Sequence, residues 1–401
     1  MESYTFLLFL AIILVSTKAL GIFSRKVNMP AVVGALLAGV LLGPSCLNLI
    51  SLNGSTGNFI NMMAELGVIL LMFNAGLGTD IEELKKTGVA SLVTACVGVA
   101  VPLIGGFLSY ALFFHIDLNN YNEFLKAIFV GTVLTATSVS ITVETLQELG
   151  KLKGKVGTTI LGAAVIDDIV GIMVLTVVTA LKSPGVQPVM IFVKIVLYFV
   201  MLGVVAFVLI KGRRFIEIHD QKRRTAILCV AFCFVMAFVS EQFFGIADIT
   251  GAYFAGLILC NMKIGPYVSR RVEIPSYLIF SPVFFASVGL KVTLNNMKSS
   301  ILIFAILLLA VALISKVIGC GLGAKICGYN NLESLQVGVG MISRGEVALI
   351  VAQKGYECGM LDDALFGPTV FVVIVTTLLT PILLKVVMNE KKKKVPVTIS
   401  E

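Results

Sequence analysis

Residues 156–181 read VGTTILGAAVIDDIVGIMVLTVVTAL, and Asp167 and Asp168 are the only charged residues in the stretch. It is long and apolar enough to cross a hydrocarbon core of about 30 Å, for which ~20 helical residues suffice. A carboxylate at the centre of such a helix costs roughly 2.5 to 3.5 kcal/mol on insertion scales, so two in succession carry a large penalty. Ionisable groups retained at that depth mark ion or proton pathways.

The rest of the chain has the same character. Of its 401 residues 58% are hydrophobic and 13% charged, and the mean hydropathy is +1.00. These values exclude an ordinary soluble domain. Thirteen stretches are expected to span a membrane: 4–23, 30–50, 59–77, 87–114, 124–146, 156–181, 188–210, 225–243, 247–262, 275–291, 300–325, 332–353 and 364–388. The first is preceded by Glu2 and followed by Arg25 and Lys26, the reverse of a signal peptide, and is expected to be retained.

Assigned to alternate sides of the membrane, Lys and Arg number 22 on one side and 6 on the other, with Lys18, Lys316 and Arg344 left out of the total of 31. The positive-inside rule then places the N-terminus outside and the C-terminus in the cytoplasm of a cell (plasma) membrane protein. The net charge of +8 serves orientation and contact with anionic membrane lipids, not nucleic acid. None of the eight cysteines forms a CxxC pair, so metal and disulfide roles are weak readings, and no cofactor or enzyme activity is expected.

The two halves resemble each other. GALLAGVLLG at 34–43 aligns with GAYFAGLILC at 251–260, matching Gly34, Ala35, Ala38, Gly39 and Leu42 to Gly251, Ala252, Ala255, Gly256 and Leu259. One span later, FNAGLGTDI ending at Ile81 aligns with ASVGLKVTL ending at Leu294, matching Gly76 and Leu77 to Gly289 and Leu290. Six spans, a linking seventh and six more set the copies in opposite orientation, the inverted repeat typical of secondary transporters. The competing reading is chance similarity between Gly-rich packing helices.

The expected architecture is an all-α polytopic membrane protein of thirteen transmembrane helices in two inverted six-helix repeats. The membrane domain runs over 1–388, with repeats at about 4–181 and 225–388, a linker helix at 188–210 and a short basic cytoplasmic tail at 389–401.

Two spans read poorly as continuous helices. The fifth carries TVLTATSVSIT at 132–142, rich in hydroxyls, and the twelfth carries GVGMISRGEVALIV at 338–351, with Gly345 between Arg344 and Glu346. They fall at equivalent places in the two copies, where discontinuous helices expose backbone carbonyls and dipole ends. Hydroxyl-rich packing is the plainer alternative for the first. At about 1.5 Å per residue, Asp167, Thr137, Lys316 and Arg344 each lie roughly 13 to 20 Å from a helix end, which predicts one midplane site. Lys316 stands alone in ILIFAILLLAVALISKVIGCGLGA, where pairing with an acid competes with a long snorkelling reach.

Neighbouring helix residues point about 100° apart, so Asp167 and Asp168 face different partners. Asp167, Asp168 and Glu346 against Lys316 and Arg344 leave one negative charge, which one monovalent cation or one proton would neutralise. Desolvation disfavours the bare carboxylate, so proton and cation compete for the site, and such competition is antiport in its simplest form.

TATSVSIT, AAVIDDIVGI, the Lys316 helix and MISRGEVALIVA together make the chain similar to the second cation:proton antiporter family, of the NapA/GerN-like sodium/proton type and related to the Kef membrane domain. The resemblance runs from about residue 5 to 388. It implies an NhaA-like fold with two crossing discontinuous helices, a homodimer, and elevator-type alternating access. Residue by residue it implies Asp168 as the ion-binding carboxylate, Asp167 as the partner of Lys316, and Thr137 and Ser138 as site lining that helps hold Na⁺. It further implies Arg344 and Glu346 in the second crossing helix. Electroneutral relatives carry Asn and Arg where Asp167 and Lys316 stand, which implies electrogenic exchange. The substrates expected are Na⁺, or Li⁺ or K⁺, and H⁺. Rival readings are a K⁺/H⁺ antiporter, a Kef-like K⁺ channel gated by a separate partner, a sodium-coupled symporter, and an intramembrane aspartyl protease. The last fits poorly because adjacent aspartates diverge.

Overall fold

The computed structural model describes residues 4–27, 29–44, 46–50, 54–117, 120–182, 188–218, 222–260, 262–291, 299–357 and 359–388. All regular structure among them is helical. The first half contains α1 (Thr5–Lys26), α2 (Ala31–Leu42), α3 (Gly54–Leu77), α4 (Ile81–Phe113), α5 (Tyr121–Thr135), α6 (Val139–Glu148) and α7 (Lys155–Lys182). After α8 (Pro188–Ile218) come α9 (Lys222–Val239), α10 (Asp248–Leu259), α11 (Gly265–Pro275) and α12 (Ser281–Leu290). The chain ends with α13 (Ser299–Ile326), α14 (Asn331–Gly340), α15 (Glu346–Glu357) and α16 (Asp363–Met388). Five-residue π-helical turns extend α9 at Ser240–Phe244 and join α11 to α12 at Ser276–Phe280.

Among the described residues, ten spans are long and apolar enough to cross a membrane, and α2 and α10 are shorter apolar helices. The chain is a multi-pass membrane protein. Several expected spans have other bounds than the helices observed, and the fifth and twelfth, read as poor continuous helices, are each two short helices. The span expected at 30–50 is helical only to Leu42, after which the chain folds back, Leu47 N–H donating to Leu41 O at 3.0 Å and Ile50 N–H to Leu42 O at 3.1 Å. The span at 87–114 starts earlier, because Asp80 caps α4 by accepting from the amides of Glu82 and Glu83 at 2.9 and 3.1 Å. The span at 332–353 is two short helices, α14 and α15, separated by non-helical 341–345. The side chain of Glu346, the tail 389–401 and positions 292–294 of the second repeat copy lie outside the described residues.

The helices sort into two bundles by their contacts. In one, α4 packs along α13 and against α5 and α7, and α14, α15 and α16 close around α13 and α5. In the other, α3 packs on α10, α2 on α12 and α1, and α9 on α10. The second bundle is fastened by two close crossings. A Cβ on Gly39 would run into the Ala286 carbonyl, and one on Gly289 would lie 2.6 Å from Val40 N. A Cβ on Gly76 would lie 2.9 Å from Leu257 N, and one on Gly256 2.8 Å from Leu77 N. Backbones this close admit only glycine.

Candidate ion-binding site

The site is built where two helices stop. The hydroxyl-rich segment ends α5 at Thr135, and Ala136 turns to φ −60°, ψ 134°, so 136–138 is extended before α6 begins. At 341–345 the α14 to α15 path breaks in the same way, and the Ser138 amide donates to the Ser343 carbonyl at 2.6 Å. Thr142 Oγ1 donates to Gly340 O at 2.9 Å, pinning α6 to the end of α14. Gly345 is required here, since a Cβ would sit 2.6 Å from Ser138 Oγ and 2.8 Å from its Cβ.

Ending α5 at Thr135 strips partners from its last carbonyls, which carry the negative end of the helix dipole. Two fully buried cations supply those partners. Lys316 Nζ donates to Thr135 O at 2.7 Å, to Gly98 O at 2.9 Å and to Asp167 Oδ1 at 3.0 Å. Its three N–H donors thus have three acceptors, on α5, α4 and α7. Arg344 donates through Nη2 to Leu134 O at 2.8 Å and Ala312 O at 3.1 Å, and through Nη1 to Ile342 O at 3.1 Å. Thr377 on α16 donates its hydroxyl to the Arg344 carbonyl.

Lys316 and Asp167 are both 0% exposed, so the pair carries a desolvation cost of several kcal/mol per ion that only close geometry and full hydrogen bonding offset. Thr137 and Ser138 are buried in the first break. Asp168 is buried on α7 beside this pair, and its place one residue on turns it away from Lys316. The structure therefore gathers Asp167, Lys316, Arg344, Thr137 and Ser138 around the end of α5, with Asp168 adjacent.

The backbone acceptors Gly98 O, Leu134 O, Thr135 O and Ala312 O are site groups that residue identity alone does not reveal. So is a second polar region where the bundles meet. There, Glu148 on α6 accepts from Arg25 Nε at 3.1 Å and from Ala31 N–H at 2.8 Å. A cavity of about 210 Å³ beneath this tie is lined by Asn74, Glu144, Gln147, Glu273 and Ser276. Glu144 had a visible signal, a carboxylate near the end of an expected span. Among the described residues, no group of three or more His, Cys, Asp or Glu is arranged to hold a metal ion.

Two broken helices thus meet at a buried lysine–aspartate pair inside a multi-pass helical protein. Residues 9–390 match the family model described as "Sodium/hydrogen exchanger, transmembrane", and the chain belongs to that family. It is 37% identical over 395 residues to the Na(+)/H(+)-K(+) antiporter GerN of Bacillus cereus, covering 97% of this chain and 98% of that protein. It is 39% identical over 380 residues to the probable Na(+)/H(+) antiporter GerT of the same organism, covering 94% and 97%. The sodium proton antiporter MjNhaP1 from Methanocaldococcus jannaschii has the same fold, with a TM-score of 0.73 at 16% identity over 96% of each chain.

Proposed function

We propose that the protein exchanges a monovalent cation, Na⁺ first and Li⁺ or K⁺ as alternatives, for protons, with Asp168 as the carboxylate both compete for. The observation that carries this reading is the Lys316–Asp167 contact of 3.0 Å with neither side chain exposed. It accounts for Asp167 as half of an ion pair, and the family resemblance assigns the cation- and proton-binding role to Asp168, the next residue on α7. The relatives named Na(+)/H(+) and Na(+)/H(+)-K(+) antiporters support cation–proton exchange as the activity.

In this proposal Thr137 and Ser138 help Asp168 hold the dehydrated cation. Arg344 keeps the α5 terminus neutral, and Glu346 belongs to the second broken helix. When the cation binds, the Asp167–Lys316 pair loosens and Lys316 releases a proton that it regains when the cation leaves, so two protons exchange for one cation and transport is electrogenic. The bundle containing α4, α5, α7 and α13 moves past the other in an elevator-type motion within a homodimer. The N-terminus faces outside and the C-terminus the cytoplasm of the plasma membrane.

Thirteen membrane-crossing elements follow if α2, α10 and the α14–α15 pair complete the ten long spans. An inverted repeat is supported by the exchanged crossings. Gly39 of the first copy meets Gly289 of the second, and their counterparts Gly256 and Gly76 meet with the copies interchanged. A two-fold axis relating the copies would generate that pattern.

The deciding experiment reconstitutes the protein in proteoliposomes and measures Na⁺, Li⁺ and K⁺ exchange across pH, with and without an imposed membrane potential. Exchange that survives in Asp168→Asn overturns the assignment of the site. Single-channel currents without proton coupling favour the gated K⁺ channel instead.

A further inference from the structure

Lys18 stands in the second half of α1, an apolar helix whose other basic residues, Arg25 and Lys26, lie in its last turn. Its ammonium donates to the Tyr277 hydroxyl at 3.2 Å, and no ion pair joins it to a described carboxylate. A cation at that depth calls for a counter-charge, which a neutral phenol does not supply. On α6, Glu144 is in the opposite position, a carboxylate with no hydrogen bond or ion pair to a described residue. Both line one cleft of about 310 Å³ between α1, α2, α6 and α12, with Arg25 in the same wall as Lys18.

Arg25 already has its carboxylate. Glu148, one turn beyond Glu144 on α6, accepts from Arg25 Nε at 3.1 Å and from Ala31 N–H at 2.8 Å, which ties α6 to α1 and to the first turn of α2. Through Thr142 on Gly340 O and the Ser138 amide on Ser343 O, α6 is fastened to the bundle that carries Asp168, whereas α1 and α2 belong to the other. Residues seven apart on a helix share a face, as do residues four apart, so Lys18 and Arg25 form one row and Glu144 and Glu148 another. At ~1.5 Å per residue, Lys18 lies about 10.5 Å along α1 from Arg25 and Glu144 about 6 Å along α6 from Glu148. A slide of about 4.5 Å, somewhat less than the ~5.4 Å of one helical turn, would therefore bring Glu144 level with Lys18. Gly21, between the two cations, puts no side chain in the way.

We propose that Lys18 and Arg25 are alternate seats for the α6 carboxylates. Glu148 occupies Arg25 in the observed state. Glu144 takes Lys18 once the α6 bundle has slid by about one turn toward the N-terminal end of α1, a ratchet of one packed element past another. Lys18, Glu144 and Glu148 are thus positioning residues, which set how the bundles divide between two stopping points and leave the ion to Asp168. The inference rests on the elevator-type motion proposed above and gives each end of the travel its own ion pair.

The full-length protein, with its eight native cysteines replaced, is spin-labelled at Phe23→Cys on α1 and Val89→Cys on α4, both exposed, and reconstituted in proteoliposomes. Pulsed dipolar spectroscopy reads the distance between the bundles, and cation exchange is measured on the same preparations. Two distance populations are expected in this parent. Lys18→Gln and Glu144→Gln should each deplete the shifted population about fivefold, within reach of one partly screened ion pair, and the double variant should deplete it no further. Lys18→Arg should preserve it. Glu148→Gln should enrich it, a reversal that a merely structural role for these side chains would not produce. Size exclusion checks that every variant remains folded. A population ratio unchanged in Lys18→Gln, or losses that add in the double variant, overturns the proposal, as does a single distance population in a parent that exchanges cations. A parent that shows both populations without exchange contradicts the reaction assigned above, while the variant ratios still decide the seats.

Discussion

The backbone amide of Ser138 donates to the carbonyl of Ser343 at 2.6 Å, so each interrupted helix supplies part of what the other lost at its break. An extended segment inside a membrane protein is tolerated only where its polar groups are satisfied by other protein groups or by a water-filled cavity. The two breaks are therefore mutually dependent, and disturbing one disturbs both.

Adding a side chain at Gly345 tests that dependence. Gly345→Val forces its branched side chain against Ser138, and overpacking of this kind costs about 1 to 3 kcal/mol. The expected result is a lower melting temperature in thermal size-exclusion assays and slower exchange. Combining Ser138→Gly with Gly345→Ala should recover more stability than Gly345→Ala alone, and an additive loss would argue against direct contact.

Lys316→Met leaves the Asp167 carboxylate buried without its cation, and breaking a buried pair from one side costs about 3 to 5 kcal/mol. Replacing both partners, as Asp167→Asn with Lys316→Met, removes the uncompensated charge and should regain part of that loss. Equal stabilities for the single and double variants would mean that the pair contributes little to the fold.

Cation binding at Asp168 should itself stabilise the protein. A ligand at one hundred times its dissociation constant adds about 2.7 kcal/mol, read as a rise in melting temperature with Na⁺ over choline. The rise should shrink as pH falls, because a protonated carboxylate cannot take the cation, and should vanish in Asp168→Asn. A Na⁺ effect that persists in that variant would locate the ion elsewhere.

At the start of α14, Asn330 Oδ1 accepts from the Glu333 amide at 2.8 Å, while the Glu333 carboxylate accepts from the Asn330 amide at 2.9 Å. Glu333 also meets Lys155 of α7 at 3.4 Å, and Lys155 Nζ sits 3.8 Å above the Tyr329 ring. Losing such a cap costs about 0.5 to 2 kcal/mol, so Asn330→Ala should lower stability by that amount. Hydrogen exchange should quicken first in the opening turn of α14, and uniform quickening across the chain would contradict a local role.

Much of the site was legible because its residues are improbable in lipid. Asp167, Asp168, Lys316 and Arg344 stand out of apolar runs, and the Thr and Ser of 132–142 and the Arg-Gly of 344–345 mark the broken helices. What stayed hidden is carried by backbone. Gly98, Leu134 and Ala312 serve through their carbonyls, and a carbonyl has the same chemistry in every residue type. The fold-back after Leu42 carried a signal in Gly43-Pro44, which the apolar Leu47, Leu49 and Ile50 beyond it masked in a hydropathy reading. Hydropathy reports what can enter a membrane and says little about where a helix stops.

The cations that complete α5 arrive late. Thr135 O and Leu134 O are answered by Lys316 and Arg344, 181 and 210 residues further along the chain. When the ribosome has delivered α5 to the translocon, its C-terminal carbonyls have no counter-charge, and none exists until most of the protein has been synthesised. Nascent chains truncated before Lys316 should therefore hold this element near water or against the insertion machinery. Its burial belongs to the last act of biogenesis, and a quality-control protease that recognises unfinished membrane proteins would find its handle there.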